Sequence, residues 1–212
     1  MNTLIRYSPV AFKADPLETE TRKHWQVVLK YKSESDGPSI IDMSHTLKWD
    51  LQDSGLSRNE PCGIRIPGAV GESIFEKHIL INRMNRTQAA IWHFPQSGAV
   101  MPQEPAYTDV TESYTLLALL GASVFSIMEK VSSLDLLFSQ NRFPALFQGP
   151  VLHVPAQVVV MPEDDAEGLI LIACARGYGQ SLAHGLLDAG AQWNLCPAGD
   201  LRFKTWLGEK TG

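Results

Sequence analysis

The sequence predicts an α+β fold, built from antiparallel or mixed sheets with a few packed helices. Three observations predict it. The 212 residues are 44% hydrophobic and 19% charged, the balance of an ordinary globular chain. Apolar–polar alternation of strand type dominates the first half, and helical periodicity emerges only after Gly121. Strands and helices are therefore partly segregated rather than strictly alternating, which argues against a doubly wound sheet.

Residues 1–24 are polar and mixed, and read as an N-terminal arm ahead of a core spanning 25–212. That core reads as two lobes, about 25–110 and 111–212. Trp25, Val27, Leu29 and Tyr31 alternate with Gln26, Val28, Lys30 and Lys32, the period of a strand with one drier face. Ser33 to Ser39 is a turn-rich break, after which Leu47, Trp49 and Leu51 mark a second strand. Asn59 to Gly71 holds two prolines and three glycines and reads as a loop. Ile79–Ile81 and Ala89–Phe94 read as short strands around an Asn-Arg turn, and Pro95–Pro105 as another loop.

Residues 112–120 form an apolar run that reads as a buried strand ended by Gly121. Val124, Phe125, Met128 and Val131 then recur at helical spacing, opposite Ser123, Ser126, Glu129 and Lys130. Asn141–Pro155, with three prolines, reads as a loop. Gln157–Met161 and Leu169–Ala173 are β-rich runs around the acidic hairpin loop Pro162–Gly168. Gly177–Ala191 reads as a helix with Tyr178, Leu182, Leu186 and Ala189 on its inner stripe, and Leu201–Leu207 as a last strand.

Charge and cysteine usage narrow the function classes. The net charge is −5, and the nearest approach to a basic patch is the Asn82–Arg86 turn, so no nucleic-acid partner is expected. Cys62, Cys174 and Cys196 form neither a CxxC pair nor a zinc-spaced set, so no metal is expected and a reducing compartment suits them. No apolar signal segment follows the N-terminus, and the run Leu116–Met128 is too short to span a bilayer. The expectation is a cytoplasmic protein without a membrane partner.

Four constellations invite chemistry. Gly177-Tyr178-Gly179 precedes a helix, and Asp200 lies 21 residues beyond Gly179, but Leu182 stands where a dinucleotide fingerprint needs its third glycine. The plainer reading is a strand-to-helix turn. Asp42-Met43-Ser44-His45 gathers an acid, a hydroxyl and an imidazole, yet adjacent residues ahead of a strand point to opposite faces. A turn in which Ser44 and Asp42 bond local backbone groups is expected instead. Glu163, Asp164, Asp165 and Glu167 lack calcium-loop spacing and read as a solvated hairpin loop. At least three of Trp25, Trp49, Trp92, Trp193 and Trp206 are expected in the core.

Several stretches together resemble the glycine-cleavage T-protein (aminomethyltransferase-like) superfamily. Ser113–Val124 resembles its strand leading through a glycine, here Gly121, into a helix. Gly168–Ile172 and the helix ending Leu186-Leu187-Asp188-Ala189-Gly190 resemble a second such unit. Pro197-Ala198-Gly199 with Arg202, and Asp42-Met43-Ser44-His45, match two further motifs. Within the superfamily, the size and the helix carrying Arg176, Tyr178, Leu182 and Leu186 are most similar to the gamma subunit of heterotetrameric sarcosine oxidase.

The resemblance implies a folate-binding, aminomethyltransferase-like fold lacking the C-terminal barrel. It also exposes losses. Where the family places the acid that holds the pterin, this chain has Asn85-Arg86-Thr87-Gln88. A surviving tetrahydrofolate site would have to use Glu163 or Glu167 as the pterin-facing carboxylate and Arg202 for the glutamate tail. Unpaired buried donors cost about 1–3 kcal/mol each, so a ring without its acid would bind poorly. The expectation is a non-catalytic subunit or scaffold, with no catalytic residue and no cofactor of its own. Its partners would be larger flavin- and folate-carrying subunits of a complex oxidising N-methyl amines, or a second copy of itself. The alternative is a free-standing tetrahydrofolate-dependent aminomethyl- or methyl-transfer enzyme, or a folate-binding regulatory protein.

Overall fold

The computed structural model describes residues 5–94, 100–137, 143–161 and 168–209. The chain runs β1 (Pro16–Arg22), β2 (Trp25–Tyr31), β3 (Ser39–Asp42), β4 (Leu47–Gln52), β5 (Ser73–Glu76), β6 (Ile79–Arg83), β7 (Gln88–His93), β8 (Tyr107–Asp109) and β9 (Tyr114–Gly121). It continues through α1 (Val124–Val131), β10 (Ala145–Val151), β11 (Val154–Val160), β12 (Gly168–Ala175), α2 (Gly179–Gly190), β13 (Cys196–Ala198) and α3 (Asp200–Glu209). The α+β class expected from the sequence is what the chain adopts.

A six-stranded mixed sheet, ordered β10-β11-β12-β9-β3-β13, forms the centre. All its pairings are antiparallel except β13 with β3, which is parallel. Leu117, Leu119, Ile170 and Ile172 point to one face, where Ile127 and Met128 of α1 and Leu182 and Leu186 of α2 cover them. Leu116, Ala118, Leu120 and Leu171 point to the other, against Leu80 and Trp92 of a second sheet and Phe203 and Trp206 of α3. Burial on both faces explains why β9 reads as an unbroken apolar run rather than an alternating one.

The second sheet is five-stranded and antiparallel, ordered β5-β6-β7-β4-β8. Its outer side carries a further core of Trp49, Leu51, Ile81 and Ile91, capped by Leu56, Ile64 and Ile66 from the loop after β4. Arg83 pins that loop by donating to Ser57 Oγ at 3.0 Å and to the Pro67 carbonyl at 2.9 Å. The third sheet is the hairpin β1–β2. Trp25, Val27 and Leu29 of β2 face inward, while β1 is solvent-exposed along all but its last residue.

The N-terminal arm is anchored. Arg6 N donates to the His24 carbonyl at 2.6 Å, and Ala11 N donates to Gln180 Oε1 at 2.7 Å. Three hairpins, β1–β2, β5–β6 and β10–β11, turn on two residues that both take positive φ: Lys23-His24 (46° and 72°), Lys77-His78 (52° and 61°) and Leu152-His153 (49° and 65°). These are type I′ geometries, which match the twist of the flanking strands but favour Asn-Gly.

Several expectations need correction. The loop expected over Asn141–Pro155 is, within its described residues 143–155, mostly a hairpin, because Ala145–Val151 pairs with Val154–Val160. The prolines fit because β10 is an edge strand and Pro150 sits opposite Pro155. In a two-residue hairpin closed by Val151 and Val154, that next pair exchanges no backbone hydrogen bonds, so neither missing N–H is needed. Leu201–Leu207 is not a strand but lies in α3, whose buried Phe203, Trp206 and Leu207 follow helical spacing. Tyr178 is exposed rather than on the inner stripe of α2. The short strands β3, β5, β8 and β13 were not separable from turns by pattern. Trp25, Trp49, Trp92 and Trp206 are buried, as expected for at least three of the five. Among the described residues no helix is long and apolar enough to cross a membrane.

Candidate functional site

The side chains with most chemical character converge where α3 meets β1, the β3–β4 loop and the ends of β7 and β5. Asp200 opens α3 directly after Gly199. A Cβ on Gly199 would overlap the Leu29 carbonyl, so glycine alone lets the helix begin this close to β2. Gly199 N donates to Glu34 Oε1 at 2.8 Å, which fixes the approach. The Asp200 carboxylate is thereby buried, with only 2% exposure.

Three basic groups meet it. Arg22 Nη1 donates to Asp200 Oδ2 at 2.6 Å, His45 Nε2 lies 3.2 Å from Oδ1, and Lys204, one turn along α3, lies 3.4 Å from Oδ2. Burial alone would raise the Asp200 carboxyl. The hydrogen bond and charge of His45, with the Arg22 guanidinium, outweigh it and hold the group well below the usual carboxylate range. An ionised carboxylate only accepts, so the contact requires His45 to carry its proton on Nε2, which leaves Nδ1 for another partner.

The loop presenting His45 is held from beneath. Ser44 N and Oγ donate to Asp42 Oδ1 at 3.0 and 2.6 Å, and Leu116 N donates to Ser44 Oγ at 3.3 Å. The expected local turn is therefore present, and it is tied to β9. Lys48, almost wholly buried, donates from Nζ to the Ser44 and Thr46 carbonyls at 2.8 and 2.7 Å. Those carbonyls flank His45, so Lys48 is a positioning residue for the imidazole. Burial pushes the Lys48 amine down to about 7, against the opposing pull of Asp42 and Asp109.

Above Asp200 lies a cavity of about 220 Å³. Arg22, Lys23, His45, His78, His93 and Lys204 supply its polar wall. Its apolar wall includes Met43, Leu47, Phe94 and Phe203, and the two phenylalanine rings lie 5.1 Å apart. Two adjoining cavities share His45. One of about 330 Å³ is bordered by Arg6, Asp109 and Glu112, and one of about 310 Å³ lies under the arm beside Tyr7, Phe12 and Tyr31. Among the described residues no group of three or more His, Cys, Asp or Glu is placed to hold a metal.

Glu163 and Glu167 lie outside the described residues. Arg202 is half-buried on α3 and does not line the cavity, although Asp200, Phe203 and Lys204 around it do. Asn85–Gln88 forms the tight β6–β7 connection, in which Asn85 Nδ2 donates to Gln88 Oε1 at 3.0 Å. The Gly177–Gly179 turn joins β12 to α2, but β12 is antiparallel to both neighbours, so the dinucleotide reading falls. Sequence reasoning missed Arg22, Lys48 and the partnership of His45 with Asp200. One signal for the last was present: Gly199-Asp200 ahead of Phe203, Trp206 and Leu207 is a helix start with an acid in its first turn.

No protein-family model and no curated protein matches the chain. A solved structure does: heterotetrameric sarcosine oxidase from Corynebacterium sp. U-96, in complex with pyrrole 2-carboxylate. The superposition has a TM-score of 0.63 at 16% sequence identity and covers 74% of this chain and 85% of that one. At that identity the likeness concerns architecture: the chain is similar in fold to a subunit of heterotetrameric sarcosine oxidase.

Proposed function

We propose that this chain is a non-catalytic, gamma-like subunit of a sarcosine-oxidase-like complex, with an aminomethyltransferase-type core. It packs against larger flavin- and folate-carrying subunits that oxidise an N-methyl amine. The observation that carries this reading is the fold shared with a chain of heterotetrameric sarcosine oxidase over 85% of that chain's length. The two coverages make the matched chain somewhat shorter than this one. The order of the motifs around Gly121, Gly168 and Gly199 supports the same reading, and the exposed β1 offers an unpaired edge for a neighbour.

Affinity purification of the tagged chain from its own source tests the proposal. The expected product is a yellow complex whose larger subunits carry flavin and oxidise sarcosine or a related N-methyl amine. The isolated chain is expected to be colourless and to turn over nothing. Recovery of the chain without any flavoprotein, or sarcosine oxidation by the isolated chain, overturns the reading.

A further inference from the structure

We propose, on the basis of the subunit reading above, that β1 docks an extended segment of a larger subunit as an added strand. That segment carries Lys or Arg where it passes Glu18 and Glu20.

The backbone of β1 is set for such a partner. The β1–β2 hairpin turns on Lys23-His24 and is closed by Arg22 and Trp25. In a two-residue hairpin the closing pair exchanges backbone hydrogen bonds and the next pair exchanges none, and the alternation continues along the ladder. Thr21, opposite Gln26, and Thr19, opposite Val28, therefore turn N–H and C=O away from β2. Gln26 shows the same alternation from its own side, because its N–H leaves the hairpin and donates to the Arg6 carbonyl at 3.0 Å. Among the described residues nothing takes the outward groups of Thr19 and Thr21, and both residues are exposed. Two successive outward donor–acceptor sets are what an incoming strand pairs with.

The other sheet edges among the described residues are covered or short. The outer edge of β2 receives the arm at Arg6. β10 carries Pro150, and its Leu146 N donates to the Gly71 carbonyl at 2.8 Å. β5 has four residues, and β8 and β13 have three each. β1 has seven, and its register shifts are confined to Pro16–Thr19, so Thr19 to Arg22 stays regular. Folded proteins blunt or cover long edges, and β1 is the exception here.

Charge selects the kind of strand. Glu18 is exposed, and the Glu20 side chain is 47% exposed even while it meets Arg22 Nε at 2.8 Å. Directly opposed residues on neighbouring strands attract when their charges differ and repel when they match. Antiparallel pairing with a second copy, centred on Thr19 or Glu20, sets glutamate against glutamate. Centred on Thr21 it sets Glu20 against Arg22, whose guanidinium already holds Asp200 and Glu20. A partner strand with basic residues at alternate positions meets neither conflict.

Amide hydrogen exchange within residues 16–22, compared between the isolated chain and the complex purified from its own source, tests the proposal. Thr19 and Thr21 are expected to exchange at least about tenfold more slowly in the complex. Thr21→Pro deletes an outward N–H and spares those of Glu20 and Arg22, which serve β2. It should capture about tenfold less of the larger subunits while keeping a thermal midpoint near that of the unsubstituted chain. Glu18→Lys should weaken capture in the same direction. If Thr21→Pro does not fold, Glu18→Lys and the exchange rates decide the matter. A complex in which Thr19 and Thr21 exchange as in the isolated chain, or which both variants leave intact, overturns strand docking and leaves the subunit reading standing. Recovery of no complex overturns both. Self-association of the isolated chain that protects Thr19 and Thr21 would give the edge to a second copy and overturn the proposal.

Discussion

Asp200 and Lys48 hold their charges away from water by different means, and each leaves its own mark on stability. Asp200 is ion-paired, so its folded-state carboxyl titrates below its unfolded value of about 3.9. Its contribution is therefore complete above about pH 4 and is lost as the pH falls further. Asp200→Asn should cost about 3 kcal/mol, because it removes the buried charge that Arg22, His45 and Lys204 meet, and should flatten the acid limb. Urea unfolding at neutral and acid pH checks both. Lys48 is lowered to about 7 by burial, against an unfolded value of about 10.4. Between those values the unfolded chain binds a proton that the folded chain does not, so stability should rise as the pH climbs from about 7 to about 10. Lys48→Met should remove that slope, as measured by urea midpoints across the interval. Neither role was legible in the sequence. A lysine within Leu47-Lys48-Trp49 reads as the solvent side of a strand, and only the β3–β4 loop folding back supplies the two carbonyls that make its burial tolerable.

At the scale of elements, the long apolar segments were readable and the short or proline-bearing ones were not. β9, α1 and α2 each carry a run or stripe that one packing arrangement satisfies. β10 hid behind Pro144 and Pro150 because proline argues against a central strand, whereas this is an edge strand at a tight hairpin. α3 was misread because Leu201, Phe203 and Leu207 sit two and four residues apart, which suits one face of a strand as well as a helix. Burial of Phe203, Trp206 and Leu207 on one side decides for the helix. Because α3 delivers Asp200, losing that element from the reading also lost the site. The junction at Gly199 makes this dependence testable. Gly199→Ala drives a methyl into the Leu29 carbonyl and must displace α3 from β2. The expected cost is about 1–3 kcal/mol in thermal or urea unfolding. Gly121 is comparable: at φ 134°, its Cβ would lie 2.8 Å from Pro38 Cα, so Gly121→Ala should also lower the melting temperature.

Across the whole molecule, protection should follow the layering. β9 and β12 are covered on both faces, and their amides should exchange only on global unfolding. β1 is paired on one edge alone and exposed over most of its length, so it should exchange fastest among the strands. Amide hydrogen exchange read by mass spectrometry checks the order, and equal rates for β1 and β9 would contradict it. The motifs that resembled a known family fall at such structural junctions, Gly121 after the central strand and Gly199 before the last helix, which is why they carried the fold better than the chemistry. β3 lies between β9 and β13, so its two neighbours come from residues 114–121 and 196–198. A ribosome must therefore deliver the chain as far as Ala198 before this four-residue segment can be enclosed. Until then its apolar side chains wait uncovered, and a nascent chain stalled short of that point is the form most in need of a chaperone.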